Sequence, residues 1–125
     1  MIYGIGTDIV QISRIEKTLQ ERGDRFLRRV FTDAEIEYCS DKATPAARFA
    51  LRFAAKEAFL KALGLGVSQG LGLHHVEVLR MPTGAPKLDL HGKARELCEG
   101  EGIRRTFLSL SDDGLYAIAM VVLEV

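Results

Sequence analysis

Asp8 and Glu57 are the two residues of this 125-residue chain whose type and setting best suit a hard cation. Asp8 closes the run Gly4-Ile5-Gly6-Thr7-Asp8. Glu57 sits inside Phe53-Ala54-Ala55-Lys56-Glu57-Ala58-Phe59-Leu60-Lys61. Two carboxylates match the usual binding of Mg²⁺, which keeps waters and substrate phosphates at its other positions. Arg48, Arg52, Lys56 and Lys61 put cations on the same segment as Glu57. On a helix Lys61 lies about 40° from Glu57, within reach of an anion bound beside it. Two readings of this pair stay open on these residues. Glu57 and Lys61 form an i,i+4 salt bridge worth roughly 0.2–0.5 kcal/mol, or Glu57 holds a metal and Lys61 an anionic ligand. Ser109 and Ser111 lack the surroundings of an activated nucleophile. His74 and His75, adjacent on an expected strand, face opposite sides and make a poor pair for one metal.

These residues need elements to carry them. Residues 2–10 alternate as a strand, with Tyr3, Ile5, Thr7 and Ile9 on one face and Ile2, Gly4, Gly6, Asp8 and Val10 on the other. Glycines beside Asp8 mark a bulge, or close approach by a ligand or another backbone. Residues 45–63 form a long helix of strong helix formers, with Thr44 as N-cap, Pro45 opening it and Gly64 ending it. Ala50, Phe53, Ala54 and Leu60 lie within about 60° of Glu57, so the carboxylate points from the most apolar face. A charge buried there needs a partner.

The other elements follow from local rules. Ile12, Ile15 and Leu19 give a helix over 11–22 that Gly23 ends, and a short helix covers 24–30. Arg14, Lys17, Arg22, Arg25, Arg28 and Arg29 outnumber the acids in that stretch. Such a run is a solvated face or a docking surface for an acidic partner. Thr32-Asp33-Ala34-Glu35 has the form of a capping box for a helix reaching about Ser40. Gly64, Gly66, Gly70 and Gly72 enclose Ser68 in a loop able to wrap phosphate, without the P-loop pattern. Strands over 73–81 and 87–91, a helix over 92–99, and strands over 104–111 and 115–125 complete the chain. Tight turns at 82–86 and at Asp112-Asp113-Gly114 make the pairing antiparallel. The expected fold is α+β: an antiparallel sheet packed against a long central helix and shorter helices, in a single domain over 1–125.

Composition narrows the class. Hydrophobic content of 47%, charged content of 27% and zero formal net charge describe a globular chain with no global case for nucleic acid. Cys39 and Cys98 are far apart and read as free thiols of a reducing compartment. The N-terminal residues lack a signal-peptide pattern, and no apolar run reaches membrane-spanning length. The expected location is the cytoplasm, with no membrane partner.

With both motifs in view, the chain resembles, nearly end to end, the holo-[acyl-carrier-protein] synthase family of 4′-phosphopantetheinyl transferases. The likeness rests on Gly4-Ile5-Gly6-Thr7-Asp8-Ile9 and on Arg52-Phe53-Ala54-Ala55-Lys56-Glu57-Ala58-Phe59-Leu60-Lys61-Ala62. The glycine loop, Gly84-Ala85-Pro86 and Tyr116-Ala117 agree with it. The resemblance implies transfer of 4′-phosphopantetheine from coenzyme A to a serine of apo-acyl carrier protein in fatty acid biosynthesis, leaving adenosine 3′,5′-bisphosphate. It implies Mg²⁺ on Asp8 and Glu57, and a coenzyme A phosphate on Lys61. Arg52, Phe53, Gly64 and Ser68 match coenzyme A-lining positions. Gly84 and Pro86 match a segment that meets the nucleotide from a neighbouring subunit of a homotrimer. Arg14, Arg22, Arg25 and Phe26 match the surface that receives the carrier protein. One departure stands out: many relatives carry His after the serine of the last hairpin, where this chain has Asp112. A non-catalytic coenzyme A-binding module that docks acidic proteins is the alternative from another class.

Overall fold

Strand β1 (Ile2–Gln11) lies directly on helix α3 (Pro45–Leu63). A Cβ on Gly4 would fall onto the Ala62 carbonyl oxygen, and one on Gly6 onto the Ala58 carbonyl oxygen. Of the readings open for these glycines, close approach of another backbone is what the computed structural model shows. The glycines let the strand that carries Asp8 lie against the helix that carries Glu57. A register shift between Ile2 and Gly4 adds an irregularity at the strand's start.

The structure describes residues 1–65 and 71–125. After β1 come α1 (Ile12–Val30), α2 (Asp33–Ser40) and α3, then a 3₁₀ turn (Leu73–His75). Strands β2 (Val76–Arg80) and β3 (Pro86–Leu90), helix α4 (Gly92–Gly100), and strands β4 (Arg105–Asp112) and β5 (Tyr116–Glu124) follow. β1, β5 and β4 form one antiparallel sheet in that order, and β2 and β3 a separate antiparallel pair. This is the expected α+β arrangement, with α3 packed chiefly on β1 and β5. Among the described residues no helix is long and apolar enough to cross a membrane.

Local signals hold where they were strong. Gly23, at φ 47°, interrupts α1 between its two expected helical runs. At α2 the Thr32 hydroxyl accepts from the Glu35 N–H at 3.2 Å, and Glu35 Oε1 accepts from the Thr32 N–H at 3.0 Å. Gly64 ends α3 in the left-handed region, its N–H bonded to the last carbonyls. Thr44 takes the N-cap position without a side-chain bond. The strand expected over 73–81 is shorter: His74 and His75 lie in the 3₁₀ turn with rings 4.3 Å apart, not on opposite strand faces.

Helix α3 is apolar on nearly every side because it is surrounded, with twelve of its 19 residues buried. Its open stripe is Phe53, Glu57 and Lys61, at i, i+4 and i+8. The expectation that Glu57 faces the core is therefore corrected: it is half-buried on that stripe, and the fully buried charge is its neighbour Lys56. Apolar residues around Glu57 did not mark a single core side, since this helix has core on several sides.

The sheet's other face is open. Ile5, Val122 and Phe107 lie in one row across the three strands, Thr7, Met120 and Ser109 in the next, and Ile9, Ile118 and Ser111 in a third. Ile5 and Ile9 are exposed, as are Phe107, Ile118 and Met120.

Candidate active site

Alternation along β1 puts Asp8 on the face toward α3, and the open stripe of α3 puts Glu57 beside it. Both line one cleft of about 280 Å³, together with Arg14, Phe26 and Phe53. Burial first, and the like charge of Asp8 second, raise the Glu57 carboxyl above its ordinary range, while Lys61 pulls it back. The Lys61 ammonium donates to Asp8 Oδ1 at 3.0 Å and to the Thr7 carbonyl at 3.0 Å. The lysine's hydrogen bonds thus go across to β1, and the expected i,i+4 pair with Glu57 gives way to a longer-range one.

One end of the cleft is therefore a pair of hard oxygen donors whose mutual repulsion a divalent cation would relieve, with an ammonium alongside. The other end is apolar. The Phe26 and Phe53 rings stand 6.2 Å apart, and Ile15 and Val10 continue the wall. Phe26 also borders a second depression, lined by Arg22, Arg25 and Arg29. The four residues expected to meet a carrier protein thus divide between the two hollows, Arg14 in the first, Arg22 and Arg25 in the second, Phe26 in both.

Not all expected residues converge. Arg52 points away from the cleft, 6% exposed, with its guanidinium 4.5 Å from the Tyr38 ring centre. Lys42 stacks on the same ring, and Arg80 donates to the Tyr38 hydroxyl at 2.7 Å. Burial alone would raise the Tyr38 phenol, but the Arg80 bond and the cations outweigh it and lower it. The Nε atoms of Arg52 and Arg48 are buried without a hydrogen-bond partner among the described residues. This cationic patch around Tyr38 was missed in the sequence, because only Lys42 is its near neighbour, while Arg52 and Arg80 reach the ring from α3 and β2. Gly84 and Pro86 sit on the β2–β3 turn, with Gly84 at φ 92°, and neither lines the cleft. Gly64 caps α3 just beyond Lys61. Ser68 lies outside the described residues. Asp112 ends β4, and its carboxylate accepts from the Gly114 N–H of the turn at 3.1 Å.

Other reactive groups are already committed. Glu77, Asp89 and His91 bring one ligand atom each within 4.8 Å of one another. Both Glu77 oxygens are taken, one by the Thr32 hydroxyl at 2.6 Å and one by the His91 ring at 2.9 Å. Burial opposes this carboxylate, yet those two bonds hold it below its ordinary range. Burial pushes the thiols of Cys39 and Cys98 up to about 11, so they are poor nucleophiles.

Comparison with known proteins gives one answer. Residues 4–120 match the family model for the 4′-phosphopantetheinyl transferase superfamily. A holo-[acyl-carrier-protein] synthase of Geobacter metallireducens is 55% identical over 124 residues, spanning 99% of this chain and 98% of the relative. A solved holo-[acyl-carrier-protein] synthase from Neisseria meningitidis superposes with a TM-score of 0.91 at 38% identity, over 99% of each chain. The synthase from Helicobacter pylori, solved in complex with coenzyme A, superposes with a TM-score of 0.85 at 36% identity, over 96% of this chain and 99% of that one.

Proposed function

We propose that this chain, which belongs to the 4′-phosphopantetheinyl transferase superfamily, works as a holo-[acyl-carrier-protein] synthase with the Asp8–Glu57 cleft as its transfer site. The reaction moves 4′-phosphopantetheine from coenzyme A to a serine of apo-acyl carrier protein, the activation step for carriers of fatty acid biosynthesis. The serine oxygen bonds to phosphorus, the bond to adenosine 3′,5′-bisphosphate breaks, and the serine gives up its proton. The observation that carries this reading is that Asp8 and Glu57 line one cleft while the Lys61 ammonium bonds to Asp8.

Asp8 and Glu57 are the residues to hold Mg²⁺, which would supply charge stabilisation at the phosphate oxygens. Lys61 is placed to share that task through its ammonium. The serine's proton would pass to Glu57 or to a water held at the metal. Phe53 and Phe26 give the ligand's apolar arm a wall. Arg52 and its cationic neighbours around Tyr38 suit the phosphate-rich nucleotide end of coenzyme A, and the resemblance adds Gly64 and Ser68 to that end. Arg14, Arg22 and Arg25 suit an acidic carrier protein, with Phe26 between the two hollows.

The open apolar sheet face supports association between copies, which the resemblance would make a homotrimer of the cytoplasm with Gly84 and Pro86 of one copy meeting the nucleotide held by the next. Tight packing of Ile5, Phe107 and Met120 from each copy would remove them from water.

The test is mass measurement of apo-acyl carrier protein after incubation with the protein, coenzyme A and Mg²⁺. A gain of one phosphopantetheine group is expected. Coenzyme A binding with no mass gain would favour the non-catalytic module instead.

A further inference from the structure

We infer that Lys56 is a positioning residue, a buried pin that sets the rotation of α3 and thereby aims Glu57 into the cleft. This rests on the metal reading of Asp8 and Glu57. Lys56 precedes Glu57 in the sequence, yet its side chain is fully buried and does not line the cleft. An ammonium has three donors. All three are engaged, by Glu35 Oε1 at 2.8 Å, the Val76 carbonyl at 2.6 Å and the Leu73 carbonyl at 3.2 Å. None is left to meet a phosphate.

Glu35 is itself fixed. Its Oε1 also accepts from the Thr32 N–H at 3.0 Å, and its Oε2 from the Val78 N–H at 2.9 Å. The Thr32 hydroxyl passes the chain on to Glu77 at 2.6 Å. One lysine thus ties α3 to the start of α2, to the 3₁₀ turn and to β2. The opposite side of α3 meets β1 through Ala58 and Ala62 against Gly4 and Gly6. Contacts between such small residues set a distance but offer few interlocking side chains to resist rotation or sliding. A directional ionic anchor supplies that resistance. Because successive residues differ by about 100° around a helix, any turn of α3 that Lys56 permits carries Glu57 across the cleft mouth.

The test replaces both charges, Lys56→Met with Glu35→Gln, since removing one alone strands the other and threatens folding. Thermal melting confirms the fold. Mn²⁺ binding is then read from loss of the free-ion electron paramagnetic resonance signal, and coenzyme A affinity is measured without metal. The expected result is Mn²⁺ bound about tenfold or more weakly, as for other supporting partners of metal ligands. Unaltered Mn²⁺ affinity in the folded variant overturns the inference, and if metal-free coenzyme A affinity alone is lost, Lys56 acts on the ligand and not on Glu57. Wild-type protein that takes no Mn²⁺ overturns the metal reading itself. If the double variant does not fold, Thr32→Val should weaken Mn²⁺ binding and Thr32→Ser should restore it; equal affinities in these two overturn the pin.

Discussion

Lys61 Nζ stands 3.0 Å from Asp8 Oδ1, joining the end of α3 to β1 across 53 residues of sequence. The lysine side chain is 56% exposed, so the pair is well solvated and contributes little to stability, about 1 kcal/mol at most. Lys61→Ala should therefore leave the denaturation midpoint nearly unchanged. Turnover should fall about 100-fold, as expected for loss of one charge-stabilising donor. Comparable losses in stability and turnover would show the lysine to be structural.

Glu57→Gln separates chemistry from folding in the opposite sense. The Glu57 carboxyl titrates above its unfolded value near 4.5, so the folded protein holds this proton more tightly than the unfolded chain. Its contribution to stability is complete below that unfolded value and is lost as the pH rises through the raised folded value. Without metal, Glu57→Gln should thus melt above wild type at pH 7, and the gap should narrow on acidification. The variant should also have lost turnover. A gap that widens toward low pH would contradict the sign.

Gly6→Ala tests the strand–helix contact. Its methyl would run into the Ala58 carbonyl oxygen, a backbone atom that cannot swing aside. A cost of about 1–3 kcal/mol in urea denaturation is expected, as for overpacked cores. Activity of the folded fraction should drop too, because Asp8 moves with the strand. Wild-type activity per folded molecule would mean that Asp8 tolerates the displacement.

Arg22→Glu combined with Arg25→Glu reverses charge in the hollow beyond Phe26. The KM for carrier protein should rise about tenfold or more and lose most of its salt dependence, while the KM for coenzyme A stays put. A parallel rise in both would place coenzyme A and carrier on one surface.

Met120→Glu puts a charge in the middle of the open sheet face, where Met120 pairs with Thr7 and Ser109. Sedimentation should give a trimer for the wild type, as proposed, and a monomer for the variant. A trimer that survives this change would have to assemble through another surface.

Much of the architecture was legible because its causes are local. The Thr32 capping box, the Gly23 break, the Gly64 stop and the β4–β5 turn depend on residues within a few positions of one another. The site was legible in part. Asp8 and Glu57 were chosen for their chemistry, and β1 alternation turned Asp8 the right way. Long-range relations were not readable. Nothing near Lys56 in the sequence names Glu35, 21 residues away, as its partner. Gly4 and Gly6 fitted a bulge as well as a close approach by a ligand or another backbone, and the answer was the backbone of α3. His74 and His75 fitted an alternating strand pattern equally well, but the 3₁₀ turn took them.

Strand β1 interleaves two sets of residues. Tyr3, Ile5, Thr7 and Ile9 are exposed on the outer sheet face, while Gly4, Gly6, Asp8 and Val10 turn toward α3. Alternate letters of one short stretch therefore answer to separate demands and tolerate different substitutions. An engineer wishing to redesign assembly can edit the odd positions and leave the even ones untouched. Deleting a single residue in this strand is another matter. The period of two would exchange the sets downstream or upstream of the cut, sending isoleucines against the helix backbone and the acid out to the open face.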